Sequence, residues 1–214
     1  MKKKRILLAL DADGTMTLTA KYLRLWAIEE FKRLDMHDAL EYALAHPEQS
    51  TLLWPKYMRD ITDQCVLQGD FMIHVEPSEL VTKGLFDQLD KLQRRRTHVA
   101  LDVVVCTHRG FHEKGESNTE SWLKDHDKWG VVEKVHAIDP AEHPNKLLFL
   151  EQHYPDHDIH LLDDNPLFRS NEVHPRDDRL CIYSEEGNLP CYDNQIQFPG
   201  LHAYINFLEL KMVA

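Results

Sequence analysis

Ile6-Leu-Leu-Ala-Leu10-Asp11-Ala-Asp13-Gly14-Thr15 is the stretch on which the reading of this chain turns. Five apolar residues run without a break and stop at a carboxylate. Such a run, closed by a turn, is the pattern of a strand buried on both faces, as in a parallel sheet. In an open parallel sheet, ligands sit outside the carboxyl ends of the strands. Two carboxylates two residues apart at that position repel one another, and a Mg²⁺ ion relieves the repulsion. Magnesium prefers oxygen ligands and keeps waters and a substrate phosphate in its shell. One carboxylate can then attack phosphorus while the other protonates the leaving group and later activates water. The same residues also read as an ordinary Asp-Gly turn after a strand, and alone they do not decide between the two.

Outward from this stretch, Leu101-Asp-Val-Val-Val-Cys106 repeats the buried-strand pattern, as does Ile159-His-Leu-Leu162. Val131 to Ile138 and Arg179 to Tyr183 are weaker strands, which makes about five. Helical stripes lie between them. Leu23, Trp26, Ala27, Phe31 and Leu34 form one; Trp54, Tyr57, Met58, Ile61 and Cys65 form another, with Pro55 near its start and Gly69 past its end. Val81, Leu85, Leu89 and Leu92 predict a single helix opened by Pro77. Ser117-Asn-Thr-Glu120 has the form of a capping box before Trp122 and Leu123. Lys146 to His153 predicts a short helix capped by Asn145, and Leu201 to Met212 a last one. Cys191 to Pro199 reads as irregular.

Strands alternating with helices predict an α/β fold with a doubly wound parallel sheet. About ninety residues separate the first two strong strands, where one crossover needs only a dozen or more. The excess predicts a small helical insert of two or three helices at residues 20–70, within a core made of 1–19 and 71–214.

The formal charge of −11 disfavours extended binding to a polyanionic backbone, so nucleic acid is not the expected partner. The basic start, Met1 to Arg5, is followed by an apolar run too short for a signal core, and no segment has the length of a membrane span. Cys65, Cys106, Cys181 and Cys191 show no paired spacing and read as reduced thiols, which makes a cytoplasmic location the expectation. His153, His157 and His160 surround Pro155 without a metal-ligand spacing and read as surface and loop residues.

Three further positions end or open elements at the same edge as Asp11. Thr107 ends the Val103 strand with a hydroxyl suited to a phosphate oxygen. Lys146 opens a helix, where its ammonium and the helix N-terminus both attract an anion. Asp163 and Asp164 end a strand with two more carboxylates, suited to a metal shell.

On these residues the sequence resembles the phosphatases of the haloacid dehalogenase superfamily. Ile6 to Thr15 matches the family's first motif, a strand followed by Asp-x-Asp-Gly-Thr. Val103 to Thr107, Lys146 and Asp163-Asp164 match the second, third and fourth. The resemblance implies a Mg²⁺-dependent phosphate-monoester hydrolase acting through an aspartyl-phosphate. In it Asp11 is the nucleophile and Asp13 the general acid/base, while Thr107 and Lys146 hold the phosphate. The metal is held by Asp11, the backbone carbonyl of Asp13 and Asp164, with Asp163 supporting the lysine. Asp13 is the acid that the family's dehalogenases lack. The resemblance further implies that the insert is a mobile cap over the site, which suits small phosphate esters. A nucleoside monophosphate is the expected substrate, with Trp26, Trp54 or Tyr57 either stacking on it or packing the insert's own core.

Two alternatives stand beside this. Thr107-His108-Arg109 resembles the phosphatase half of polynucleotide kinase/phosphatases, in which His108 and Arg109 would join the phosphate site of a polynucleotide 3′-phosphatase; both also read as solvated loop residues. The other is a catalytically silent binding protein that keeps the fold.

Overall fold

The computed structural model describes residues 4–213 apart from 48, 96–97, 165–175 and 184–195. Six strands form one sheet: β1 (Lys4–Leu10), β2 (Val99–Thr107), β3 (Lys134–Ala137), β4 (Asp158–Asp163), β5 (Leu180–Ile182) and β6 (Ile196–Gln197). They lie in the order β3-β2-β1-β4-β5-β6, and every pairing is parallel. β1 is central because it is apolar from Ile6 to Leu10. Successive side chains of a strand point to opposite faces, and both faces of Ile6–Leu10 are covered. Ile6, Leu8 and Leu10 join one core with Val103, Val105, Phe86, Leu89 and Trp122. Leu7 and Ala9 join a second core with Val104, Cys106, Leu161, Phe149 and Leu150. Helices on both faces of a parallel sheet make the doubly wound α/β architecture that the strand pattern predicts.

The helices follow their apolar stripes, with three corrections. The stripe from Val81 to Leu92 is broken in two, α5 (Glu79–Thr82) and α6 (Leu85–Arg94). Gly84 between them adopts φ +98°, a left-handed conformation that a helix interior does not allow. The capping box at Ser117 does not form. α7 runs from Gly115 to Asp125, which puts Ser117 inside the helix with its hydroxyl donating to the Lys114 carbonyl. Ile196–Gln197 pairs with β5 as an edge strand, so the stretch before Pro199 is not wholly irregular; residues 191–195 lie outside the described residues. α8 (Lys146–His153) is capped as expected, with Asn145 Oδ1 accepting from the Leu148 N–H at 3.2 Å.

Between β1 and β2 the chain forms α1 (Thr19–Arg33), α2 (His37–Ala45), a single 3₁₀ turn (Thr51–Leu53), α3 (Lys56–Gln68) and α4 (Phe71–His74). α3 ends at Gly69, whose φ of +74° closes the helix in the left-handed way that glycine permits. Ala27, Phe31, Ala39, Ala43, Trp54, Met58 and Ile61 form a third apolar cluster of their own. Where the chain leaves β1 and where it returns, the two segments hydrogen-bond to each other: Leu18 N–H to the Glu76 carbonyl at 2.9 Å, and Ser78 N–H to the Met16 carbonyl at 2.8 Å. α9 (Leu201–Val213) closes the chain against the first core through Tyr204, Ile205, Leu208 and Met212. No helix among the described residues is long and apolar enough to cross a membrane, and Cys65, Cys106 and Cys181 are free thiols.

His160 is not a surface residue: it is 1% exposed, within β4, its ring edge-on to Phe207. Burial holds its pKa below the ordinary histidine value against the pull of Asp158. Burial likewise pushes His136 down to about 4, helped by Lys134 and His153. Both are therefore neutral in the fold and readily protonated in the unfolded chain. A histidine whose folded pKa is depressed contributes stability that is full above its unfolded value of about 6.5 and lost as pH falls below it. These two histidines therefore act to lower the urea midpoint between pH 7 and pH 5. In His136→Phe and His160→Phe that fall should be shallower; an unchanged slope in both would refute the assignment.

Candidate active site

The sheet order reverses at β1: the chain builds β2 and β3 on one side, then crosses to β4 on the other. Ligand crevices form at such a switch point, outside the strands' carboxyl ends. The register aligns what stands there. Leu10 pairs with Leu162 on one side and with Val105 on the other, and the Asp11 N–H donates to the Leu162 carbonyl at 2.9 Å. Asp11, Asp163 and Thr107 are thereby brought to one edge, and all three are buried.

Lys146, the first residue of α8, reaches into this edge. Its Nζ lies 2.7 Å from Asp11 Oδ1 and 2.9 Å from Asp163 Oδ2, with all three side chains buried. Burial alone would lower the lysine pKa, but Asp11 and Asp163 outweigh it and hold the ammonium charged well beyond the ordinary range. Asp11, Asp163 and Asp164 each offer a carboxylate oxygen within 4.8 Å of the others. Burial, and then the neighbouring Asp11 and Asp163, push the Asp164 carboxyl well above its usual value. Burial pushes Asp11 up to about 7, against the attraction of Lys146. The group thus carries three carboxylates and one ammonium, an excess of negative charge held out of water.

The loop that follows β1 is set by its own backbone. The Met16 and Thr17 N–H groups both donate to the Ala12 carbonyl at 2.9 Å, and the Gly14 N–H donates to the Thr17 carbonyl at 3.1 Å. Gly14 has φ +76°, and a Cβ there would overlap the Asp164 carboxylate. Glycine is required twice over, by conformation and by space. Thr107 Oγ1 is buried and has no hydrogen-bond partner among the described residues. A buried hydroxyl left unpaired costs roughly 1–3 kcal/mol, so its retention at this edge calls for a ligand or water.

Asp13 is held differently from Asp11. The Arg109 guanidinium grips it with two bonds, Nε to Oδ2 at 3.0 Å and Nη2 to Oδ1 at 2.6 Å, and the Thr19 hydroxyl donates to Oδ1 at 2.5 Å. Burial would raise the Asp13 carboxyl, but the Arg109 charge and hydrogen bonds outweigh it and keep it below the usual range. The Arg109 side chain is 1% exposed against 34% for Asp13, and its Nη1 donates to Thr119 Oγ1 at 3.0 Å. All three guanidinium nitrogens are thus engaged, so a substrate contact by Arg109 would require the pair with Asp13 to part. Arg109 is an internal residue and not a solvated one. His108 turns its Nε2 to the His143 carbonyl at 2.9 Å, and burial with the nearby Lys146 pushes its pKa down to about 4.

The structure therefore brings Asp11, Asp13, Thr107, Lys146, Asp163 and Asp164 to one edge of the sheet. Thr19 and Thr119 complete the Asp13 setting and are absent from the sequence reading. Both are single hydroxyls on helices, Thr19 standing 6 residues from Asp13 and Thr119 10 from Arg109, and neither spacing belongs to a local motif. Two predictions follow from the charges. Lys146→Met leaves two buried carboxylates and the half-buried Asp164 without a cation, which should cost about 3–5 kcal/mol in urea unfolding with EDTA. The deficit should shrink as pH falls and the carboxyls take up protons; a deficit that does not change with pH would refute the electrostatic account. Gly14→Ala should lose more than about 1 kcal/mol through its positive φ and the overlap with Asp164, measured as the shift in urea midpoint.

Solved structures place the fold among known ones. No protein-family model matches the sequence, and no curated protein matches it. A haloacid dehalogenase-like family hydrolase from Streptococcus pneumoniae aligns over 97% of this chain and 100% of its own, at 15% identity and a TM-score of 0.53. A crystal structure described as a dehalogenase aligns over 97% of this chain and 98% of its own, at 11% identity and a TM-score of 0.50. At such identities the likeness is one of backbone. Helices on both faces of a parallel sheet, crossing over at the strand that ends in Asp11, are thus the haloacid dehalogenase-like fold, and this chain has it.

Proposed function

We propose that the chain is a Mg²⁺-dependent phosphate-monoester hydrolase that works through an aspartyl-phosphate on Asp11. The observation that carries this reading is the buried group of Asp11, Asp163, Asp164 and Lys146 with the unpartnered Thr107 hydroxyl at the same sheet edge. The donors suit a hard divalent cation: they are all carboxylate oxygens, and their charge exceeds that of the one ammonium. Asp11, Asp164 and the Asp13 carbonyl would hold Mg²⁺, and Asp163 would keep Lys146 in place. Bound there, the ion would neutralise charge on the phosphoryl oxygens and keep Asp11 ionised at neutral pH.

The chain's own residues carry the remaining steps. An oxygen of Asp11 attacks phosphorus in line, the bond to the leaving alcohol breaks, and Asp13 supplies the proton that the alcohol oxygen takes. The Thr107 hydroxyl and the Lys146 ammonium stabilise the charge spread over the transferring oxygens. Asp13 then removes a proton from the water that attacks the acyl phosphate, and Asp11 departs as carboxylate. Asp13 paired with Arg109 is in the ionised state that this second step uses. Donation in the first step requires a protonated Asp13, and therefore a loosened pair.

Residues 20–70, with an apolar cluster of their own, serve in this reading as a cap that excludes water from small substrates. Trp54 is spent inside that cluster, against Phe31 at 5.8 Å, while Tyr57 is half-exposed. Small phosphate esters such as nucleoside monophosphates are the proposed substrates.

The test is phosphate release from nucleoside monophosphates, sugar phosphates and a 3′-phosphorylated oligonucleotide, with Mg²⁺ and then with EDTA. Mg²⁺-dependent release from the mononucleotides is expected, with loss of all turnover in Asp11→Asn and little change in its fold. Release from the oligonucleotide alone would favour a polynucleotide 3′-phosphatase, and chloride release from a 2-chloroacid would favour a dehalogenase. Turnover in Asp11→Asn equal to wild type would remove Asp11 as the nucleophile.

A further inference from the structure

The Asp13 carboxylate touches the segment that leads into residues 20–70, and its partner Arg109 stands over the segment that returns from them. On the outgoing side, Thr19 is the first residue of α1 and donates to Asp13 Oδ1 at 2.5 Å. On the return side, Phe71 opens α4, and the Arg109 guanidinium carbon stands 5.7 Å from its ring centroid while the same guanidinium holds Asp13. Arg109 is fixed from behind by Thr119 of α7, whose hydroxyl also donates to the Gly115 carbonyl at 2.7 Å. α7 in turn holds the return segment: Trp122 Nε1 donates to the Val75 carbonyl at 2.8 Å, and Asn118 Nδ2 to the Gly69 carbonyl at 3.2 Å. The outgoing segment joins this group through Asp13, and it joins the return segment through the Leu18–Glu76 and Ser78–Met16 backbone bonds.

We propose that Arg109 is a positioning residue that ties the Asp13 carboxylate, itself bonded to the outgoing end by Thr19, to the return end of the insert, so that the acid/base group and the placement of residues 20–70 change together. The inference rests on the phosphatase reading for the role of Asp13, but the tie itself does not depend on it. Geometry makes the tie reciprocal. Any movement of α1 that withdraws Thr19 removes one of the donors on Oδ1, and any movement of α4 that withdraws Phe71 uncovers the face of the guanidinium that grips the same carboxylate. An interaction linking two parts of a molecule transmits free energy equally in both directions. A bidentate arginine–carboxylate pair is suited to this, because its strength falls sharply when the two planes cease to match.

The experiment compares amide hydrogen exchange at residues 18–24 and 70–75 in the full chain, for wild type, Asp13→Asn, Arg109→Gln and Asp11→Asn. Loss of a charge-assisted bond should raise exchange roughly tenfold at both segments together in Asp13→Asn and Arg109→Gln. Asp11→Asn, two residues away but bonded to Lys146, should leave both segments unchanged. If Arg109→Gln fails to fold, the double variant Asp13→Asn/Arg109→Gln, which leaves no unpaired charge, takes its place with the same expectation. A rise at residues 70–75 alone, or no rise in Asp13→Asn, would overturn the tie and make Arg109 a packing residue of α7.

A kinetic arm reads the positioning of the acid. In Thr19→Val and Arg109→Lys, kcat on an alkyl phosphate, whose alcohol needs a proton, should fall roughly tenfold more than single-turnover phosphorylation by 4-nitrophenyl phosphate, whose leaving group does not. KM should stay within about twofold, as for an interaction made in the transition state. Equal losses on the two esters would overturn the positioning role. If the wild-type chain hydrolyses neither ester, the phosphatase reading fails, and the exchange result still decides the tie.

Discussion

Lys146 stands buried between Asp11 and Asp163, and the carboxyl edge of the sheet is organised around that contact. Two buried carboxylates and the half-buried Asp164 would repel one another and take up protons; one ammonium at 2.7 and 2.9 Å relieves part of the repulsion and leaves the remainder for a cation. The arrangement demands that β1 and β4 be neighbours, that both end at the same level, and that α8 begin beside them. The register of β1 with β4 satisfies the first two, and the Asn145 cap, which fixes where α8 starts, satisfies the third. Gly14 belongs to the same constraint, since any larger residue would displace Asp164.

A second charged contact, Asp13 with Arg109, stands apart from the first and has the opposite character. Asp11 is raised by burial toward neutrality, whereas Asp13 is held ionised by a guanidinium. Two carboxylates separated by one alanine are thus given different proton affinities by their partners, the condition under which one can act as nucleophile and the other as acid/base. The contact also joins structural levels. Asp13 is bonded to the start of α1, and Arg109 lies over the start of α4, so the chain entering the insert and the chain leaving it each meet one member of this ion pair.

Much of this was legible in residue order, and particular residues show why. The run Ile6–Leu10 is apolar at every position, which only a strand covered on both faces requires, and the alternation of its side chains between two cores bears this out. Asn145 before Lys146 marks a helix start through a local side chain to backbone bond, readable at a distance of three residues. Three readings failed for local reasons. Gly84 splits a stripe whose apolar spacing alone is continuous. Ser117 satisfies a capping spacing that the preceding turn overrides. His160 lies on the buried face of β4, although the neighbouring polar residues resemble a loop.

The order of residues by itself determined the alternation of strand and helix, the presence of an insert between β1 and β2, and the carboxylates, hydroxyl and lysine that end or open those elements, because these depend on periodicity and on bonds between near neighbours. Tertiary structure alone decided the partners. Arg109 could have faced a ligand or solvent, yet it is closed inside the molecule on Asp13 and Thr119, and Thr19 reaches the same carboxylate from the insert. Trp54 could have lined a site, yet it packs the insert's own core. Pairings of this kind join residues from 6 to 96 positions apart. They are set by which faces the sheet and the insert bury against each other, and no local spacing records that.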